Sequence, residues 1–220
     1  MANPNPHQML VEDEDLKGVV IGVMRYHLGH WPPKEREDEW PAYINVARSA
    51  AEVLREDGLI AQLQESSVQA LGIVVDANAS FSGRWQRIRD FCRSQGAAVP
   101  NVCPETGLRV DNILGTRFGA WIMPNNRDDG MLENFCQAMV PAAENQILWD
   151  YARNSASFAR DDYRAPFIEG HVHKAQVHTW LAWQNPPGER MGSAITKRIL
   201  KAEMGWGNEF ASWFRALYGV

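Results

Sequence analysis

The sequence predicts an α/β fold, a mainly parallel sheet flanked by helices with a helical C-terminal part. Three observations carry that prediction. The run Leu71-Gly72-Ile73-Val74-Val75 is apolar throughout and ends on Asp76, as a strand does when both faces of a parallel sheet are covered. A unit of strand, acidic tip and helix occurs three times, with tips at Glu12, Asp76 and Asp129/Glu133. From residue 143 onward the pattern is almost entirely helical. An α/β domain over residues 8–142 and a helical extension over 143–220, packed on it, are therefore expected.

Taken in order, Gln8-Met9-Leu10-Val11 is a short strand closed by Glu12. Asp13, Glu14 and Asp15 make an acidic first helical turn, which the helix dipole favours. The helix continues through residues 16–24, where its glycines and valines are weak helix formers. Residues 27–40 are polar and charged around Trp31-Pro32-Pro33 and read as a mobile surface flap. A strand over 42–47 leads to a capping box, Ser49 with Glu52, and a helix that weakens at Asp57-Gly58 and resumes at Leu59. After the central strand, a helix from Arg84 sets Trp85, Ile88, Phe91 and Cys92 on one face and Arg84, Arg87, Arg89 and Arg93 on the other, and Gly96 ends it. Residues 99–110, with Pro100, Pro104 and Gly107, read as loop. A strand over 118–123 is closed by Pro124. A turn follows, and the helix opening at Met131 holds Glu133 in its first turn. Helices are expected over 145–159, 174–183, 191–200 and 208–217. The last carries Phe210, Trp213, Phe214 and Leu217, a core stripe or a docking face.

Composition narrows the function classes. At 45% hydrophobic residues in 220 the chain can bury a sizeable core. Its net charge of −5 gives no global basic field, so nucleic acid would have to meet a local patch. Cys92, Cys103 and Cys136 are too widely spaced for a disulfide framework or a metal motif, and buried reduced thiols are expected. The polar first eight residues do not resemble a signal peptide. No stretch approaches the ~20 apolar residues of a membrane span, so a cytoplasmic protein without a membrane partner is expected. His27 and His30, and likewise His171, His173 and His178, lack the cysteine or acidic partners of a zinc site.

The chemistry concentrates at Asp76. Open α/β sheets place ligands at the carboxyl ends of their strands. Asn78, two residues on, points to the same side in extended chain, and two such oxygen donors suit Mg²⁺. The same pair also opens turns. Arg84 and Arg87, at the start of the next helix, are candidate phosphate contacts.

These residues resemble the Toprim domain family. Leu10-Val11-Glu12 followed by Asp15 resembles its first motif, an apolar pair, Glu, Gly, two residues and Asp. Val74-Val75-Asp76-Ala77-Asn78 resembles its second, apolar residues followed by Asp-x-Asp. Met123-Pro124-Asn125-Asn126, the helix start Gly130-Met131-Leu132-Glu133, His173-Lys174 and Thr179-Trp180-Leu181-Ala182 resemble small stand-alone Toprim-like proteins related to OLD-type nucleases. The likeness covers roughly residues 8 to 200. Two positions depart from it, with Asp13 where the motif glycine stands and Asn78 where the second aspartate stands.

The resemblance implies a Mg²⁺- or Mn²⁺-dependent nuclease acting on DNA or RNA. Glu12 would be the general acid/base and a metal ligand. Asp76, Asn78 and Glu133 would hold metal, and Lys174 would offset transition-state charge. It also implies bacterial anti-phage defence beside an ABC-type ATPase, since the chain has no Gly-x-x-x-x-Gly-Lys-Ser/Thr loop of its own. The other reading is a catalytically inactive Toprim-like binding or regulatory module. A homo-oligomer is compatible with both.

Overall fold

The computed structural model describes residues 5–220. Its strands are β1 His7–Val11, β2 Tyr43–Val46, β3 Ala70–Asp76, β4 Leu108–Ile113 and β5 Thr116–Met123. They form one sheet in the order β2-β1-β3-β5-β4. All are parallel except β4, which runs antiparallel along β5. The helices are α1 Glu14–Leu28, α2 Ala50–Val53, α3 Glu56–Leu63, α4 Phe81–Ser94, α5 Leu132–Gln137, α6 Ala142–Asp161, α7 Val172–Ala182, α8 Met191–Thr196 and α9 Gly207–Tyr218. The fold is thus the mainly parallel α/β architecture that the sequence predicts. Among the described residues no helix is long and apolar enough to cross a membrane.

Residues of β3 serve two layers, which is why its run does not alternate with polar residues. Leu71, Ile73 and Val75 pack with Leu59, Ile88 and Phe91 of α3 and α4. Ala70 and Val74 belong to the opposite layer, with Val20 of α1 and Phe214 and Leu217 of α9. The strand is buried up to Val75, and only Asp76 at its end is part-exposed. The stripe Phe210, Trp213, Phe214 and Leu217 is core, each side chain being 3% exposed or less. At ~1.5–3 kcal/mol per large side chain buried, this stripe docks α9 firmly on the sheet. A pair of glycines makes the docking possible. Gly72 of β3 lies opposite Gly119 of β5. A Cβ on Gly72 would run into the Tyr218 hydroxyl, and one on Gly119 would stand 2.7 Å from Leu217 Cδ2. Over this bare patch the Tyr218 hydroxyl donates to the Gln8 carbonyl at 2.8 Å.

Three local expectations are corrected. Residues 108–110, expected as the end of a loop, are strand: they open β4, which runs on to Ile113. Leu108 and Ile113 point inward while Arg109, Asp111 and Asn112 are exposed, and a register shift between Val110 and Ile113 hides the alternation. Leu114 and Gly115, both with positive φ, close the hairpin to β5, as a two-residue primed turn requires. Residues 27–40 are not a free flap: α1 runs to Leu28, and Trp31 and Trp40 are buried, with Trp40 Nε1 donating to the Pro32 carbonyl at 2.9 Å. The helix after Ser49 breaks at Leu54 and Arg55, and Gly58 lies inside α3.

Candidate functional site

The carboxyl edge of the sheet gathers the acidic tips. Val11 of β1 pairs with Val74 of β3, so Glu12 and Asp76 leave adjacent parallel strands side by side. A Glu12 carboxylate oxygen accepts the Asp76 backbone N–H at 2.7 Å. An Asp76 carboxylate oxygen in turn accepts the backbone N–H of Leu132, the first residue of α5, at 2.9 Å. The next residue, Glu133, is buried and ion-paired to Lys174 of α7 at 3.1 Å. Arg84 donates through Nε to the Asp76 carbonyl at 2.9 Å, so its guanidinium steadies the end of β3. Arg87 stands exposed on the outer face of α4.

Asn78 has a backbone reason to be there. Its φ is 55°, in the left-handed region where Asn is tolerated better than most residues. Its N–H donates to the Gly130 carbonyl at 2.6 Å and its carbonyl accepts the Gly130 N–H at 2.8 Å. This clasp ties the β3 exit to the loop before α5 and so sets Glu133 opposite Asp76. Asp129 acts elsewhere, accepting the Phe81 N–H at the start of α4 at 2.6 Å. The third acidic tip is therefore Glu133 alone. Asp13 is the N-cap of α1, accepting the Leu16 N–H at 2.8 Å.

Asp13, Asp15, Asp76, Asn78, Glu133 and Lys174 line one hollow of about 150 Å³. His171, at the N-terminus of α7, lines it too. A second cleft of about 730 Å³ continues past Asp13 and Asp15 to Arg48, His178 and Arg190. Arg48 follows the end of β2, so its place at the functional edge was readable from the strand pattern. Arg190 precedes α8 in a stretch with no such signal.

Burial sets the electrostatics first, and crowding of like charge adds to it. Burial, then Glu12 and Glu133, push the Asp76 carboxyl up to about 8. Burial also raises Glu12, against the pull of the Asp76 N–H and the Arg84 charge. Burial alone would lower the Lys174 ammonium, but Glu133, with Asp15 and Asp13, raises it overall. Lys174 therefore stays charged in the hollow.

The donors are hard oxygens, the chemistry that Mg²⁺ and Mn²⁺ prefer. Among the described residues no group of three or more His, Cys, Asp and Glu side chains is arranged to hold an ion. Mg²⁺ does not need such a cage, since it is commonly bound by one or two carboxylates, waters and substrate phosphate. Asp76 and Glu133 fit that mode. The cysteines lie outside this chemistry: Cys92, Cys103 and Cys136 are free and buried.

Fold and site together define an α/β protein with an acidic centre at the carboxyl edge of its parallel strands. The family is shown by a model described as "Protein of unknown function (DUF3226)", which matches residues 6–219; the chain belongs to that family. No curated protein and no solved structure matches it.

Proposed function

We propose that this chain is a Toprim-like nuclease that hydrolyses phosphodiester bonds in DNA or RNA with Mg²⁺ or Mn²⁺. The observation that carries the reading is the Glu12–Asp76–Glu133 edge, with Lys174 closing the hollow beside it. Asp76 and Glu133 would hold the ion, with the Asn78 amide oxygen as a neutral donor. When bound, the ion supplies Lewis-acid polarisation of the phosphate and a more acidic water. Backbone groups of Asp76 and Ala50 orient the Glu12 carboxylate, which would take and return the proton. Its raised pKa brings proton exchange closer to neutral pH. Lys174 is about half exposed, so its ammonium can swing from Glu133 to a phosphate oxygen and stabilise charge that develops there. Arg48 and Arg190 would meet flanking phosphates along the second cleft, and Arg87 offers a further contact on α4.

A cytoplasmic location, a role in anti-phage defence and an ABC-type ATPase partner belong to the same proposal and rest on the resemblance of the motifs. The second reading, a catalytically inactive nucleic-acid-binding or regulatory module, draws on one observation: each of the three carboxylates already has a partner within the chain. Supercoiled plasmid and single-stranded RNA incubated with Mg²⁺ or Mn²⁺ separate the two. Cleavage stopped by chelator and by Asp76→Ala supports the nuclease. Binding without cleavage under every metal condition favours the inactive module.

A further inference from the structure

Of the ten large apolar side chains exposed among the described residues, six lie on α6, the loop after it and the end of α7: Ile147, Tyr151, Phe158, Tyr163, Ile168 and Trp183. At about 150–250 Å² per large side chain, their exposed fractions leave roughly 100 Å² each. Together that is about 600 Å² of exposed apolar side chain on this side of the molecule, against the ~800 Å² per partner of a standard interface. Trp183 stacks on Tyr151 with ring centroids 5.3 Å apart, which extends the stripe sideways onto α7.

The stripe has an internal spacing. Trp149, Ala152 and Ala156 turn the inner face of α6 to the core. Ile147, Tyr151, Asn154 and Phe158 follow one another at steps of four, three and four on the opposite face, and are 88%, 63% and 54% exposed at the three apolar positions. That is the seam spacing of paired helices, and here it is the seam of a helix whose inner face is already used.

We propose that α6 pairs antiparallel with α6 of a second copy, so that the protein is a homodimer. The 4-3-4 spacing reads the same in both directions. An antiparallel two-fold therefore sets Ile147 against Phe158 of the second copy and Tyr151 against its Asn154. Such self-complementarity is what a two-fold interface demands. Asn145 breaks the helical geometry with φ −142°. Beside it is a hollow of about 500 Å³ lined by Asn145, Ile147, Leu148 and Tyr151. The same two-fold delivers Phe158 of the second copy to that hollow, as a knob into a hole. Parallel pairing would stack Phe158 on Phe158 and leave the hollow unused. Asp150 and Arg153 pair within α6 at 3.8 Å, so the flank brings no uncompensated charge to the contact. A single polar seam residue such as Asn154 fixes register at some cost in stability.

The test is sedimentation velocity on the full chain, with Tyr151→Asp and Phe158→Asp. Wild type is expected to sediment as a dimer. Each substitution is expected to weaken it by roughly 30-fold or more, the scale of an aromatic hot spot, with an unchanged circular dichroism spectrum. Orientation is read by cross-linking. The native thiols are buried, so mixed Tyr151→Cys and Asn154→Cys proteins should form the 151–154 disulfide in preference to 151–151. A monomeric wild type overturns the proposal, as does a dimer indifferent to both aspartates or one that cross-links 151 to 151. A monomer that loses single-stranded nucleic acid binding on these substitutions would instead make the stripe a stacking platform, and would also overturn it.

Discussion

Glu12 holds the backbone of Asp76: its carboxylate accepts the Asp76 N–H at 2.7 Å across two adjacent parallel strands. The acidic residues that end β1 and β3 are thus one unit. Glu12→Gln keeps a carbonyl oxygen able to accept that bond, while removing the charge and the group proposed to transfer a proton. The variant should fold with wild-type stability or better, because a like charge beside Asp76 is relieved. It should lose about 10²–10⁴-fold in cleavage, the usual worth of general acid/base catalysis. Cleavage rates and thermal midpoints measured on the same preparations check both halves.

The acidic centre makes the metal-free protein pH-sensitive. Asp76 has its carboxyl raised to about 8 in the fold, against 3.8 ordinarily. Between those values the folded chain binds the proton more tightly than the unfolded chain. The stabilisation is therefore complete below about pH 4 and is lost as pH rises through 8. Glu12 acts in the same direction. Denaturant midpoints at pH 5.5 and 8.5 should show wild type losing roughly 1–3 kcal/mol more than Asp76→Asn across that interval. A divalent ion must displace the Asp76 proton, so metal affinity should climb with pH up to about 8 and level off above it.

Asn78→Asp adds a carboxylate to the acidic edge. The φ of 55° at this position suits Asp as well as Asn, and the clasp to Gly130 is made by backbone alone. The fold should therefore be kept. An added carboxylate should tighten Mn²⁺ and Mg²⁺ binding about tenfold or more and raise cleavage at low metal. Calorimetric titration of both ions into both proteins reads the effect; equal affinities would remove position 78 from the metal site.

Gly72→Ala tests how α9 is seated. The new methyl group meets Tyr218 and Leu217, and Tyr218 cannot retreat without disturbing its buried bond to Gln8. Overpacking of this kind costs about 1–3 kcal/mol, to be read as a lower denaturant midpoint at unchanged slope.

The parallel strands and the pairing of Glu12 with Asp76 were legible because apolar runs that end on acidic residues mark strand ends directly. What stayed hidden depended on tertiary context. β4 is an edge strand whose alternation is broken by a register shift. Trp31 and Trp40 are buried inside a stretch whose neighbours are charged. Asp129 and Glu133 are equally acidic in sequence, and backbone contacts tell them apart: the Asn78–Gly130 clasp and the Leu132 N–H on Asp76 hold the start of α5 at the site, while Asp129 turns to the Phe81 N–H. That Arg84 holds the Asp76 carbonyl through Nε was hidden too, because its acceptor is a backbone group that no side-chain pattern reveals.

The most direct test is cleavage of supercoiled plasmid and single-stranded RNA in Mn²⁺ at pH 8 by wild type, Glu12→Gln and Asp76→Ala side by side. Phosphodiester hydrolysis at the acidic edge predicts cleavage by wild type, none with chelator and none by either variant, with all three proteins folded. Wild-type rates in both folded variants, or no cleavage of either substrate by wild type, would contradict it.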